Sequence, residues 1–145
     1  MINKKNFQGE IDLIFKKSFE NISNYSIVND NQKIIFKKSF WENTFLIWFN
    51  ILISEFKNSL PKVLLNKQDF SLGLEIVDNL KISELNNKFM NKIGPTDVLS
   101  FPIISQDDSI NNLTFIELGD IFISLEMAIN QSCEYKHSIY REMIW

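Results

Sequence analysis

Four positions in the second half of the chain carry groups that could orient a ligand or hold a polar substrate. Thr96, Asp97 and Ser100 lie within Gly94 to Pro102 (Gly-Pro-Thr-Asp-Val-Leu-Ser-Phe-Pro), and Asp120 lies within Leu118 to Ser124 (Leu-Gly-Asp-Ile-Phe-Ile-Ser). Carboxylates and hydroxyls at strand ends can orient a neighbouring side chain or hydrogen-bond a polar ligand. Just upstream, Lys88 and Lys92 flank Met90 and offer positive charge to a phosphate backbone. Taken singly, each residue has a plainer duty. Pro95 fixes φ, and Thr96 and Asp97 hydrogen-bond local amides in a turn that feeds a strand. Gly119 with Asp120 reads as a close backbone approach followed by a carboxylate at a strand entrance.

The sequence holds one histidine, His137, and one cysteine, Cys133. A single histidine cannot hold a catalytic metal, so His137, beside Ser138 at a helix start, reads as a structural or surface residue. A single cysteine forms no internal disulfide and suits a reducing compartment. Cys133 sits among apolar residues at helical spacing and reads as a small buried side chain.

The elements that must position these groups follow from periodicity. Residues 10–15 alternate apolar and polar and predict a first strand. Residues 21–32 are polar and turn-rich. Ser39 and Glu42 fit a capping box, predicting a long helix from Ser39 to near Leu60, where Pro61 stops it. Trp41, Phe45, Trp48, Leu52 and Phe56 recur along it at helical spacing and read as a core stripe. Residues 70–77 predict a second strand, and 81–90 a short helix with Ile82, Leu85 and Phe89 facing inward. Residues 97–104 predict a third strand, 105–114 a polar surface loop, and 118–123 a fourth strand. Ser124 then caps a helix with Leu125, Ala128, Ile129, Ser132 and Cys133 on its buried side. Residues 135–138 break that helix, and Ser138 caps a last one still running at Trp145. Ile139, Met143 and Ile144 have nothing after them to cover them, so a C-terminally incomplete domain is the expectation.

A chain of 145 residues forms one domain with room for a core, and its 45% hydrophobic content and 13 phenylalanines suit a packed globule. Its 4 glycines and 3 prolines leave no flexible linker. The N-terminal lysines precede no long apolar run, so no signal peptide is expected. The most apolar stretch, Thr44 to Ile53, is well short of the roughly 20 residues a membrane span requires. A cytoplasmic protein without a membrane partner is the expectation. The net charge of −3 is unevenly divided. Residues 1–92 hold 13 lysines against 10 carboxylates, and residues 93–145 hold 2 cations against 8 carboxylates. An acidic lobe repels a phosphate backbone unless a cation or a basic neighbouring face offsets it.

The combination of motifs says more than any one of them. Leu85-Asn86, Phe89, the run Pro95 to Pro102, Leu118 to Ile121, Glu126 and His137-Ser138 together, in this order and spacing, resemble the YbeY family of rRNA-maturation endoribonucleases. The close match covers roughly 60 residues, and the first 70 or so match in general layout alone. The resemblance implies a zincin-like single domain of α/β (α+β) class, with a mixed four-stranded sheet and packed helices. It further implies a zinc-dependent, single-strand-specific endoribonuclease for small-subunit (16S) rRNA maturation and ribosome quality control. Its partners would be rRNA, the small ribosomal subunit and ribosome-associated proteins. In the family, the helix after the Leu-Gly-Asp strand supplies His-x3-His-x5-His to one zinc ion, and that segment is not found here. Where the family carries an arginine after Leu-Asn-x-x-aromatic, this sequence has Met90, which cannot make a bidentate phosphate contact. Lys88, Lys92, Thr96, Asp97, Ser100 and Asp120 remain as candidates to bind RNA or to orient groups near the metal, with no metal ligand and no catalytic residue named. The alternative is a non-catalytic, ribosome- or RNA-associated remnant that kept the scaffold. A metal-dependent peptidase would rest on fold analogy alone.

Overall fold

Phe70, Leu72, Leu74 and Ile76 alternate along one strand and all are buried, which places that strand at the centre of a sheet. The computed structural model describes residues 9–19, 28–60, 62–65, 69–103 and 115–144. Within it, β1 (Ile11–Ser18), β2 (Asp69–Val77), β3 (Val98–Pro102) and β4 (Phe115–Ser124) form one sheet in the order β1-β2-β4-β3. β2 pairs in parallel with β1 and β4, and β3 runs antiparallel on the outer side of β4. Parallel neighbours require crossover connections. Helix α1 (Lys38–Glu55) lies on the path from β1 to β2, and α2 (Asn79–Met90) with β3 on the path from β2 to β4. Helices α3 (Leu125–Glu134) and α4 (Ile139–Ile144) follow β4. The expected mixed four-stranded sheet with packed helices is thus what the chain forms.

One face of the sheet carries the main core. Leu13, Leu72, Leu74, Ile76 and Ile123 meet Trp41 and Phe45 of α1 and Leu125, Ala128 and Ile129 of α3. Trp41 is fully buried, and its indole N–H donates to the Ile35 carbonyl at 2.7 Å. Burying an indole with its one donor satisfied makes this residue an anchor, and truncation to alanine would cost about 3–5 kcal/mol. On the opposite face α2 covers one corner, where Val77, Ile82 and Leu99 pack together. The rest of that face is open: Asp12, Ile14, Lys16 and Asp120 are exposed.

Several sequence expectations need correction. Helix α1 begins at Lys38 with Lys37 as N-cap and no side-chain cap, so Ser39 and Glu42 form no capping box. A 3-10 helix, Gln32–Phe36, runs directly into α1, and the Phe40 amide is taken by the Lys37 carbonyl at 3.1 Å. Glu42 pairs instead with Lys38 at 3.4 Å. The helix ends at Glu55, short of Leu60, because its stripe runs out of cover: Leu52 is 39% and Phe56 54% exposed. Helices hold mainly through packing, so the last turns have little to hold them. Phe89 is half exposed, and buried Asn86 takes the inward place, donating to the Gly94 carbonyl at 2.9 Å. Cys133 is exposed rather than buried, since α3 turns Ser132 inward there. Ile139 and Met143 are covered after all, as α4 packs against α3 and the 3-10 helix. The expected loop at 105–114, most of 21–32, Ile104 and Trp145 lie outside the described residues.

Between α1, the sheet, α3 and α4 a cleft of about 630 Å³ remains. Trp48, Leu52, Val98 and Ile121 supply much of its apolar wall, and Asp97, Gln131 and Glu142 are its polar members.

The β3–β4 pairing depends on Gly119. Its φ is +130°, and a Cβ there would stand 2.2 Å from the Phe101 carbonyl oxygen of the paired strand. Gly119→Ala should cost at least about 2 kcal/mol and lower the melting temperature by on the order of 5–10 °C. An unchanged melting curve by circular dichroism would show that this close approach is not needed.

Candidate functional site

The two motifs meet at a buried serine. Ser124 is fully buried at the end of β4. Its hydroxyl donates to Asn79 Oδ1 at 2.7 Å and accepts the Met127 amide at 3.1 Å, capping α3. Its own amide donates to the Asp97 carbonyl at 2.8 Å, and the Asn79 amide donates to the Glu126 carboxylate. The cap at Ser124 was readable from its place before an apolar helical run. Asn79 and Glu126 were not, because they lie 45 and 47 residues away from their partners across the junction. Their pairing has no local periodicity to announce it.

Asp97 is bound into this junction. Its Oδ1 accepts the Val98 amide at 2.8 Å and the Thr96 hydroxyl at 3.1 Å, so the Pro-Thr-Asp turn is built as the residue types suggested. Its Oδ2 faces Gln131 Nε2 of α3 at 3.4 Å, a long contact across the cleft rim. Partial burial pushes the carboxyl upward, but the donors from Val98, Gln131 and Thr96 outweigh it. The net result holds Asp97 below its ordinary value.

Asp120 points to the other face. It pairs with Gly73 of β2 beside an irregularity in register between Ser71 and Gly73. A Cβ on Gly73 would lie 1.8 Å from the Asp120 carboxylate oxygen, so the carboxylate occupies the space that any larger residue would fill. Phe101 of β3 stands opposite Asp120 on its other side. Ser100 pairs with Ile121 and is exposed on the edge strand, toward the cleft side rather than toward Asp120.

Lys88 and Lys92 are exposed at the C-terminal end of α2, and Met90 between them is 41% exposed. Asn91 closes that helix in the left-handed conformation, with φ of 53°. The Lys88 ammonium stands over the Phe89 ring, 5.0 Å from its centroid. Phe89, taken from the sequence as an inward residue, therefore joins the candidate surface. The sequence-derived set is thus divided: Thr96 and Asp97 on the turn at the cleft rim, Ser100 on the strand edge, Asp120 on the open face, and the lysines on α2.

Glu142, which lines the cleft, lies 2.9 Å from His137 Nε2, and the ring's Nδ1 is 3.2 Å from the Ser138 carbonyl. Both side chains are mostly buried, so the pair ties the α3–α4 turn to α4. A ring with both nitrogens engaged directs neither at an ion. Among the described residues no three histidine, cysteine, aspartate or glutamate side chains gather to hold a metal. With one histidine in the sequence, a three-imidazole zinc centre cannot be assembled from these residues. No described helix is long and apolar enough to cross a membrane.

Comparison with known proteins agrees with the motif reading. A family model described as Endoribonuclease YbeY matches residues 26–145. An Endoribonuclease YbeY of Prochlorococcus marinus strain MIT 9215 is 56% identical over 136 residues, spanning 93% of this chain and 75% of the relative. One from strain MIT 9515 is 51% identical over 146 residues, spanning 100% of this chain and 81% of the relative. A more distant one, from strain NATL2A, is 32% identical over 138 residues, spanning 95% and 75%.

The junction makes two predictions. Ser124→Ala strands the Met127 amide and the Asn79 side chain and should cost about 1–3 kcal/mol in urea unfolding. A loss within experimental error would remove Ser124 from its structural role. Because Asp97 is held below its ordinary 3.8, its contribution is present above about pH 4 and is lost as pH falls through the folded value. Asp97→Asn should therefore flatten the decline in melting temperature between about pH 4 and about pH 2, relative to the unmodified chain. Parallel acid limbs for the two proteins would contradict this.

Proposed function

The chain belongs to the YbeY endoribonuclease family, and from that membership we propose that it acts on single-stranded RNA in small-subunit rRNA maturation and ribosome quality control. The observation that carries this reading is the continuous family match over residues 26–145, together with the way both shared motifs converge on Ser124. A cytoplasmic location, alongside the small ribosomal subunit and its associated proteins, accords with this role.

What these residues do chemically is bind and position. Lysines at the end of α2 face solvent where a phosphate backbone can approach, and salt should weaken that contact. Asp120, held over Gly73, is an acceptor on the open face for a ribose hydroxyl or a base amine. Asp97 is occupied by three donors and serves as a positioning group for the β3 entrance. Zinc is expected from the family, but the donor set present does not fit it, and no hydrolytic step is assigned to these 145 residues.

Met90, in place of the family's arginine, favours one second reading: a chain that binds RNA without cutting it. One assay separates the two. End-labelled single-stranded and duplex RNAs carrying the same sequence are incubated with the purified 145-residue chain, with and without added zinc. Discrete single-strand cleavage that a nuclease-free preparation retains through repeated chromatography supports the endoribonuclease. Binding with intact RNA supports the second reading. Neither binding nor cleavage would sink both.

A further inference from the structure

The open side of the molecule holds one aromatic ring that is exposed and yet fixed. Phe89 is 52% exposed, but its ring packs edge-to-face on Phe101, with centroids 5.0 Å apart and planes at 65°. Phe101 in turn packs edge-to-face on Phe122 of β4, at 5.7 Å and 78°. The ring is thus anchored through β3 to the interior of the sheet. Next to it, Met90 is 41% and Ile93 99% exposed, so the apolar surface continues into the α2–β3 loop. Apolar side chains left in water on an ordered turn call for an explanation.

The charge around this surface has a definite sign. From Lys88 to Pro95, at the end of α2, the chain carries Lys88 and Lys92 and no carboxylate, whereas residues 93–145 carry 2 cations and 8 carboxylates, with Asp120 opposite Phe101 among them. The basic, aromatic end of α2 is therefore the part of the motif-bearing region to which a polyanion is drawn. An ordered aromatic face with lysines beside it is the arrangement that takes single-stranded nucleic acid, with bases stacking and ammonium groups meeting phosphates. Duplex bases are already stacked on one another and cannot use such a ring.

Resting on the RNA-processing reading above, we propose that Phe89 is a stacking platform for an unpaired RNA base, with Lys88 and Lys92 on the flanking phosphates. In the free protein the Lys88 ammonium stands over the ring. An exposed cation–π contact of this kind is weak, and a phosphate is the stronger partner for the ammonium. RNA therefore draws Lys88 aside and a base takes the uncovered face. Met90 and Ile93 extend the apolar ground beside it. The geometry selects for single strands by stacking and needs no bidentate group at position 90.

The test is fluorescence anisotropy with a labelled uridine dodecamer and a duplex RNA of equal length, using the 145-residue chain. Phe89→Leu keeps an apolar group against Phe101 and removes the aromatic face. It should weaken single-strand binding by about tenfold while leaving the salt dependence unchanged. The Lys88→Gln, Lys92→Gln double variant should reduce the slope of log affinity against log salt by about 1.4, measured between about 50 and about 200 mM. Melting curves establish that each variant is folded. Single-strand binding that Phe89→Leu leaves intact, or duplex bound as tightly as single strand, overturns the platform and leaves the endoribonuclease reading standing. No binding of any RNA by the unmodified chain overturns both.

Discussion

A hydroxyl sealed from water must find its partners within the protein, and that of Ser124 finds two, Asn79 and Met127. Its side chain joins the start of α2 to the start of α3, and its amide holds the turn that opens β3. The last residue of the central parallel pairing, Val77 with Ser124, lies at the same point. Asn79 and Glu126 close the remaining gap between the two helices. The Pro-Thr-Asp turn and the Leu-Gly-Asp strand therefore share one junction, held by the backbone amide of the same residue whose hydroxyl links the two helices. Loosening it would move β3, and with β3 both the cleft rim and the aromatic surface.

From that junction the sheet separates two environments. On the helix-covered face lie the core and the apolar cleft, lined in part by Asp97, Gln131 and Glu142 of the His137–Glu142 pair. On the other face α2 covers a corner, and Asp120, Lys16 and the ring of Phe89 meet solvent. Gly73 and Gly119 permit this arrangement by absence: one leaves room for a carboxylate, the other for a neighbouring backbone. The acidic bias of residues 93–145 is thus offset locally by Lys88 and Lys92 at the end of α2.

Much of the fold was legible in the sequence. All four described strands were located from the sequence, the first by its alternation, and the Ser124 cap and the α3 stripe from Leu125 to Ser132 were read correctly. Most of the misreadings have one cause. The C-terminal end of α1, the exposure of Phe89 and Cys133, and the burial of Ile139 and Met143 all depend on what stands opposite a side chain. Periodicity states which residues share a face; it does not state whether that face is covered. For the candidate site the types were legible and the grouping was not. Asp97 and Asp120 occupy neighbouring motifs, yet antiparallel pairing and strand alternation send them to different surroundings.

The family and the strand set were already fixed by residue identity and order along the chain. Only the packed chain brings Asn79 to both Ser124 and Glu126, rests Asp120 over Gly73, and leaves Phe89 both anchored and exposed. Those facts arise from contacts between segments far apart in sequence. Such contacts are selected by the packing of the whole chain, which no local pattern of residues encodes.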